Sequence, residues 1–399
     1  MKERITPVGR PSLLRHTNAL TILGVLRKVG SCSRADLVRA TGMSAPTVTN
    51  VVDSLLADDL VLPLGEGESS GGRPPDMIRF KAERGCLLAV QITSRELTFL
   101  LTDLGGRQLE QSKVPLAARR TDPESVCQSI DLEMKRLLRQ QKLARKQLVC
   151  LIVGVPAIAN VDEGLVLSIS TMDHWRSVPL RSLLARTIKC HIVIENDTNL
   201  AALGERYRGA AQNQQTFQLI NIGDNVSAGI VLDGKLHHGA QWSAGEIGYL
   251  RLPNVVRKQP ALHEFGELEG LLTFSGILRR WRELGGKGGG RAPADAVEVL
   301  DRARSGDSRA RRILARQSRM VADIIVNCSL ILNPELMLLG GEIGTHPALL
   351  DAVGKELERC EFAVPRIAAA TLGESAVTWG AIAMGLEVIP TLLLPLSQT

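Results

Sequence analysis

Hydrophobic and polar positions divide the chain into a helical first part and a longer part in which strands and helices alternate. Helical periodicity covers residues 12–64, and the polar stretch 65–75 interrupts it. After Gly85, apolar runs at 86–92 and 96–103 flank a short polar turn, which predicts a β-hairpin. Apolar strands then alternate with helical segments, a pattern typical of an α/β fold with helices packed on a largely buried sheet.

The same periodicity predicts the later elements. We expect helices at about 123–143 and 199–208 and from about residues 270 and 308, and strands at 148–155, 192–194, 217–222, 229–232 and 336–339. The chain is therefore predicted to hold two domains, a helical head at 12–82 and an α/β body at 86–390.

Composition and charge fit a folded protein with reduced thiols. The 399 residues suit two or three domains, and 44% hydrophobic with 23% charged residues is close to the globular average. A net charge of +6 is compatible with a polyanionic partner. The seven cysteines are scattered and include no Cys-x-x-Cys pair, so neither a disulfide framework nor a compact thiolate metal site is indicated.

The apolar stretches do not predict a membrane span. The first residues are basic and polar, unlike a secretory signal. The stretch 148–161 is too short to cross a bilayer, and 377–396 is interrupted by Glu387 and two prolines. We therefore expect a soluble, cytoplasmic protein with no membrane partner.

The head contains the capping residues of two short helices. Ser33 with Asp36 three residues later starts a helix that runs to Thr41. Gly42 ends this helix, and Ser44 can cap a second one. A helix, a three-residue turn and a second helix are therefore predicted.

Short polar side chains lie on the second helix opposite its apolar stripe, and such side chains fit the major groove of DNA. A β-wing is predicted from 60–62 and 77–80, with Arg73 at its base able to reach a minor groove. The alternative is a three-helix packing module whose serines and threonines are only caps. The predicted DNA-binding residues are Arg34, Ser44, Ala45, Thr47, Thr49, Asn50 and Arg73.

Two segments of the body carry a family resemblance. Residues 228–236 read Ala-Gly-Ile-Val-Leu-Asp-Gly-Lys-Leu, and residues 244–248 read Ala-Gly-Glu-Ile-Gly. With the head, they resemble the ROK (repressor, open reading frame, kinase) family, and within it the xylose and N-acetylglucosamine type of transcriptional repressor. The resemblance implies an N-terminal winged helix-turn-helix followed by a two-lobed α/β body with the actin-like ATPase and sugar-kinase fold. It also implies a homodimer or homotetramer.

Both phosphate-binding loops of a kinase of this family are altered. The first loop position reads Gln91-Ile92-Thr93-Ser94-Arg95, without the Asp and glycines that magnesium and polyphosphate need. The second reads Gly223-Asp224-Asn225-Val226-Ser227, where an acidic side chain would repel a γ-phosphate. We therefore expect no kinase activity, no catalytic residue and no cofactor.

The resemblance implies that the residues of a sugar cleft are retained. Asn196 and Asp197 match the family's Asn-Asp pair, and Glu246 and Glu269 match its two sugar-binding glutamates. Carboxylates and amides suit polyols because each can bond two adjacent hydroxyls. Tyr249 replaces a His that touches the sugar in the family. The alternative is that the Asn-Asp pair only caps a helix and the glutamates only face solvent.

A structural zinc, common in the family, is not expected. Tyr249, Pro260, Leu262 and Glu267 stand at the four ligand positions, and His263 alone cannot form a tetrahedral site. His237 and His238 are adjacent on a strand, so they point to opposite faces and do not form a metal pair.

Together these features predict a DNA-binding transcriptional regulator, a repressor of carbohydrate genes. Its predicted partners are operator DNA and a sugar or sugar derivative bound in a catalytically inactive cleft. The alternatives are an active sugar kinase with an accessory head, a scaffold that binds neither partner, and a regulator whose body no longer binds sugar.

Overall fold

The head contains three helices and a small antiparallel sheet. The structure is a computed structural model that describes residues 11–67, 74–116, 121–169, 172, 174–252, 266–285, 291–361 and 364–395. Strand β3 lies between β1 and β2. The elements of the head are α1 (Pro11–Val29), β1 (Ser31–Ser33), α2 (Arg34–Thr41), α3 (Ala45–Ala57), β2 (Val61–Glu66) and β3 (Asp76–Phe80).

The predicted caps define the ends of α2 and the start of α3. The Ser33 hydroxyl accepts from the Asp36 backbone N–H at 3.2 Å, and the Asp36 carboxylate accepts from the Ser33 N–H at 2.8 Å. Gly42 ends α2 in the left-handed conformation, with φ 68°. The Ser44 hydroxyl caps α3 by accepting from the Thr47 N–H at 3.3 Å. The predicted helix, three-residue turn and helix are therefore confirmed.

The first half of the body is built on a five-stranded sheet with the order β11-β7-β4-β5-β6, and β8, β9 and β10 form a small separate sheet. Its elements are β4 (Cys86–Ile92), β5 (Glu96–Asp103), β6 (Gln108–Pro115), α4 (Pro123–Gln140), β7 (Leu148–Val155), β8 (Ile158–Asn160), β9 (Leu165–Ser168), β10 (Arg176–Val178), α5 (Leu180–Ala185), β11 (His191–Asn196) and α6 (Asp197–Arg208).

The second half is built on a sheet with the order β14-β13-β12-β15-β16. Its elements are β12 (Phe217–Ile222), β13 (Val226–Leu232), β14 (Lys235–Leu236), α7 (Glu269–Leu272), α8 (Phe274–Leu284), α9 (Ala296–Arg304), α10 (Ser308–Leu332), β15 (Leu336–Gly340), α11 (Gly341–Gly344), α12 (Pro347–Leu357), β16 (Arg366–Ala369) and α13 (Ala376–Leu393).

The two sheets have the same topology. In each, the first three strands form an antiparallel meander, and the fourth and fifth strands add in parallel on the other side of the first. In each, a helix follows the fifth strand: α6 after β11 and α13 after β16. We call the two halves lobe 1 and lobe 2, and their likeness confirms the predicted two-lobed α/β body.

The structure corrects the predicted elements in several places. Strand β6 was not predicted because it alternates exposed with half-buried residues and lacks an apolar run. The long helix expected from about residue 270 is instead two helices, because the backbone of Thr273 is extended (φ −73°, ψ 172°) between α7 and α8. Helix α6 starts at Asp197 rather than at Asn199, since Asn196 is its cap.

Helices α6 and α13 cross at two glycines. A Cβ atom on Gly380 would lie 1.6 Å from the Leu200 carbonyl oxygen, and one on Gly204 would lie 2.1 Å from the Ala376 carbonyl oxygen. Helix α6 contacts β13 of lobe 2, whereas α13 contacts β4 and β7 of lobe 1. Each helix therefore packs against the sheet of the opposite lobe, and the crossing joins the lobes.

Helix α13 is also apolar. The segment Gly373–Leu393 is long and apolar enough, by length and composition, to cross a membrane. Its buried residues include Trp379, Ile382 and Ile389, which belong to a core shared with lobe 1 and the head. This packing accounts for the apolar composition of the helix.

A methyl group at the crossing should destabilise the protein. We expect Gly380→Ala to lower the free energy of unfolding by about 2–3 kcal/mol. The new methyl group would clash with the Leu200 carbonyl, and α6 and α13 would have to move apart because a backbone atom cannot change rotamer. Gly354→Ala in α12 is the matched control, since a Cβ there meets nothing within 4 Å. The control should be neutral or slightly stabilising. Urea unfolding of the three proteins makes the comparison, and equal midpoints for Gly380→Ala and wild type would contradict it.

Candidate functional site

Asn196 and Asp197 lie where β11 of lobe 1 ends and α6 begins. The Asn196 side-chain oxygen accepts from the Asn199 backbone N–H at 3.0 Å, and its amide nitrogen donates to the Ala157 carbonyl at 3.0 Å. Asp197 accepts from the Thr198 hydroxyl at 3.2 Å. The Thr198 hydroxyl lies 2.6 Å from that of Ser227 on β13, so this end of α6 touches lobe 2.

Glu246 is attached to β13 through the glycine before it. Gly245 has φ +91°, and a Cβ there would lie 1.9 Å from the Ala228 carbonyl oxygen. Its own carbonyl accepts from the Ala228 N–H at 2.7 Å. Only glycine permits this approach, which places Glu246 beside the second strand of lobe 2.

Glu269 is held beside the same loop. Its carboxylate accepts from the Gly266 N–H at 2.8 Å and from the Val226 N–H at 3.4 Å. A Cβ on Gly248 would lie 2.7 Å from Cγ of Glu269, so the backbone at Gly248 is in direct contact with the Glu269 side chain. Tyr249, half-buried, follows in the short 3-10 turn Ile247–Tyr249.

Glu246 lies within electrostatic reach of both Asp197 and Glu269. Burial, followed by the charges of Glu269 and Asp197, raises the pKa of Glu246 to about 7. Burial raises the pKa of Asp197 to about 6, and burial also raises the pKa of Glu269. The structure thus brings together the acids that the sequence singled out. Near neutral pH Glu246 is divided between its protonated and ionised forms, so this group of acids offers a hydrogen-bond donor as well as acceptors.

An ion pair spans the two loop positions that would hold phosphate in a kinase. The turn after β4 carries Arg95 and the turn after β12 carries Asp224, and their charged groups are 3.6 Å apart. The Gly223 N–H donates to the Asn225 carbonyl at 3.0 Å. The equivalent turns of the two lobes therefore face each other with side chains of opposite charge.

A further pair beside the cleft was missed from the sequence. Glu195 is 1% exposed, and its carboxylate lies 2.8 Å from the Nε2 atom of His238. The sequence assigned His238 no role beyond that of a rejected metal ligand, and it assigned Glu195 no role. The signal available was a carboxylate at the end of an apolar strand. His237, the residue before His238, is exposed.

The structure describes two of the four positions at which the family holds zinc. Within the part of the chain that the structure describes, no group of three His, Cys, Asp or Glu side chains is arranged to hold a metal ion. Tyr249 and Glu267 belong to that part, whereas Pro260, Leu262 and His263 lie outside the described residues. The absence of zinc stays a prediction.

The candidate residues of the head lie on and beside α3. Val48, Val51, Val52 and Leu55 are buried, which leaves Ala45, Thr49 and Asn50 exposed on the opposite side. The hydroxyls of Ser44 and Thr47 are 2.8 Å apart. Arg34 pairs with Asp53 at 2.8 Å, so its guanidinium is already engaged. Arg73 lies outside the described residues.

Comparisons with known proteins agree on one family. The ROK family profile matches residues 87–387. The xylose repressor of Caldicellulosiruptor bescii is 23% identical over 390 residues, which cover 94% of this chain and 97% of that protein.

Solved structures agree as well. A ROK family transcriptional regulator described as a homologue of the E. coli MLC protein aligns with a TM-score of 0.78 and 21% identity, covering 96% of this chain and 98% of its own. A ROK glucokinase from Streptomyces griseus, solved with glucose and AMPPNP, has a TM-score of 0.62 and 22% identity, over 75% of this chain and 99% of its own. The chain belongs to the ROK family, as its motifs predict.

The raised pKa of Glu246 predicts a pH-dependent stability. Unfolding returns this carboxyl to an ordinary pKa near 4.5, so ionisation opposes the folded state as the pH rises from about 4.5 through 7. Glu246→Gln should match wild type at pH 4.5 and exceed it by about 1–3 kcal/mol at pH 8. Urea unfolding at both pH values measures this difference, and Glu342→Gln, an exposed site, is the control. A variant that gains nothing at pH 8 would contradict the assignment.

Proposed function

We propose that this chain is a DNA-binding transcriptional regulator, a repressor of carbohydrate genes, controlled by a sugar or sugar derivative. One observation supports it most: the acids of the cleft remain together while an Arg95–Asp224 pair stands at the positions that bind phosphate in a kinase. The C. bescii relative, matched over nearly its whole length, is named a xylose repressor. The body therefore senses rather than phosphorylates.

The head is proposed to be a winged helix-turn-helix, with domain limits at 12–82 and 86–390. Helix α3 would enter the major groove, with Ser44, Ala45, Thr47, Thr49 and Asn50 toward the bases and phosphates. The hairpin of β2 and β3 would form the wing, with Arg73 at its base reaching a minor groove. Arg34 would reach phosphate only after release from Asp53, so its proposed role is the least direct.

The body is proposed to bind its effector through Asn196, Asp197, Glu246, Tyr249 and Glu269. Three neighbouring carboxyls disfavour a ligand that brings a phosphate beside them, because like charges repel in a partly buried cleft. Several hydroxyl groups on one ring suit them, since each acid can bond two hydroxyls. An unphosphorylated sugar is therefore favoured over a sugar phosphate.

The regulator is proposed to work as a homodimer or homotetramer in the cytoplasm. Residues 1–85 contain 12 basic and 9 acidic residues, so the head has a net charge of only +3. Such a charge gives modest attraction to DNA, and two heads on one operator would add their contacts. Effector binding would shift the lobes and alter the spacing of the two heads.

Substitutions on α3 should affect specificity more than general affinity. Thr47→Ala and Asn50→Ala should each reduce discrimination between operator and random DNA by about 1–3 kcal/mol, because base contacts are lost while phosphate contacts remain. Ser54→Ala, exposed farther along α3, is the control. Gel-shift titrations over a salt series with upstream DNA measure both quantities. Undiminished operator binding by a chain lacking residues 1–85 would refute the head as the reader.

Loss of one cleft acid should weaken the effector without weakening DNA binding. Calorimetry with D-xylose, D-glucose and N-acetylglucosamine identifies the sugar that wild type binds. Glu246→Ala should then bind it about ten- to a hundredfold less tightly, as expected when a charge-assisted hydrogen bond is lost. Glu342→Ala is the control for an exposed glutamate. Equal affinities for Glu246→Ala and wild type would place the effector elsewhere.

A further inference from the structure

The Glu195–His238 pair connects the two lobes directly. Glu195 belongs to β11, the edge strand of the sheet of lobe 1. His238 follows β14 of lobe 2, where the His237 N–H donates to the Ile230 carbonyl at 2.9 Å and the Ala244 N–H to the His238 carbonyl at 3.1 Å. These bonds fix the histidine loop to lobe 2, so the 2.8 Å contact of its side chain crosses from one lobe to the other.

Glu195 also sets the start of α6. One carboxylate oxygen accepts from the Asn196 backbone N–H at 2.8 Å and from the Asn199 side chain at 3.0 Å. The other oxygen faces His238. Glu195 is therefore a buried bridge between the histidine and the two asparagines that shape the first turn of α6, where Asn196 and Asp197 lie.

We infer that His238 is a positioning residue of the effector cleft: through Glu195 it holds the Asn196–Asp197 turn of lobe 1 against lobe 2. This inference rests on the proposed effector site. His238 is one-quarter exposed in its side chain and Glu195 is buried, so the pair is shielded on the Glu195 side and open to protons on the other. A movement that closes the lobes around a ligand would also shorten and strengthen the Glu195–His238 contact.

The charges around His238 make the contact sensitive to pH. The hydrogen bond that His238 donates to Glu195 raises the pKa of His238. Burial opposes this shift, and the charges of Glu195 and of Asp162, which follows β8, add to it. The imidazolium form, and with it the ion pair, is present at low pH and is lost as the pH rises through that pKa. Asp197 and Glu246 act in the opposite sense, because they become better acceptors as they ionise.

Three variants separate the role of His238 from a general packing effect. His238→Ala removes the contact, His238→Gln keeps a neutral donor, and His237→Ala changes the exposed neighbour. With the sugar that wild type binds among D-xylose, D-glucose and N-acetylglucosamine, calorimetry from pH 5.5 to 8.5 gives affinity profiles. We expect His238→Ala to bind this sugar about tenfold less tightly than wild type at pH 6, which is the effect expected from losing one hydrogen bond to a charged group.

The pH profile distinguishes positioning from packing. The affinity ratio of wild type to His238→Gln should fall toward one as the pH rises, because only the histidine loses its charge, and His237→Ala should follow wild type. Identical profiles for wild type and His238→Ala would overturn the inference while leaving the sugar site intact. Failure of wild type to bind any of the sugars would instead overturn the proposed effector site, and with it the positioning role.

A measurement without sugar tests the pair itself. The melting temperature of His238→Gln should lie further below that of wild type at pH 6 than at pH 9, since the ion pair contributes only while the histidine is protonated. In a protein that already carries Glu195→Gln, adding His238→Gln should change the melting temperature by the same amount at pH 6 and at pH 9. A constant gap at both pH values would show that no charged pair joins the lobes.

Discussion

The crossing of α6 and α13 at Gly204 and Gly380 is the contact on which the two-lobed body depends. Each helix follows the last strand of one sheet and packs on the other, so separating them would detach each lobe from the helix that covers its sheet. The Glu205 carboxylate, fully buried one residue after Gly204, accepts from the Thr371 and Leu372 N–H groups at 2.9 and 2.8 Å. These hydrogen bonds hold the segment before α13 against α6. They thereby help to fix the position of α6, whose first turn carries Asn196 and Asp197.

The sequence was informative where local chemistry determines structure. Ser33, Gly42 and Ser44 predicted both ends of α2 and the start of α3, because a cap is a contact within a few residues. The hairpin 86–103 was predicted to the residue, since both its strands are apolar and buried. Strand β6 escaped prediction because its pairing with β5, rather than its own composition, makes it a strand.

The candidate site could be predicted only as a set of residues. Asn196, Asp197, Glu246 and Glu269 were identified from motifs, yet nothing local places Glu269 near Val226 or Gly248. That proximity comes from the second sheet and from glycines that allow backbones to touch. The Glu195–His238 contact joins residues 43 positions apart in different lobes, so no spacing pattern could reveal it. Raised pKa values likewise arise from burial, which only the folded chain supplies.

Helix α13 lies between α6 and the head. The first turn of α6 carries Asn196 and Asp197, and near its other end Tyr207 packs on Trp379 of α13, with ring centroids 6.3 Å apart. Arg27 of α1 lies within electrostatic reach of Tyr207, its guanidinium 6.0 Å from the ring centre of Phe80 on β3. Burial lowers the pKa of Arg27, and α1 also touches α13. Tyr207 packs against a core that includes Trp379 of α13 and residues of α1 and β3, so the far end of the helix that begins with Asp197 shares its packing with the first helix of the head.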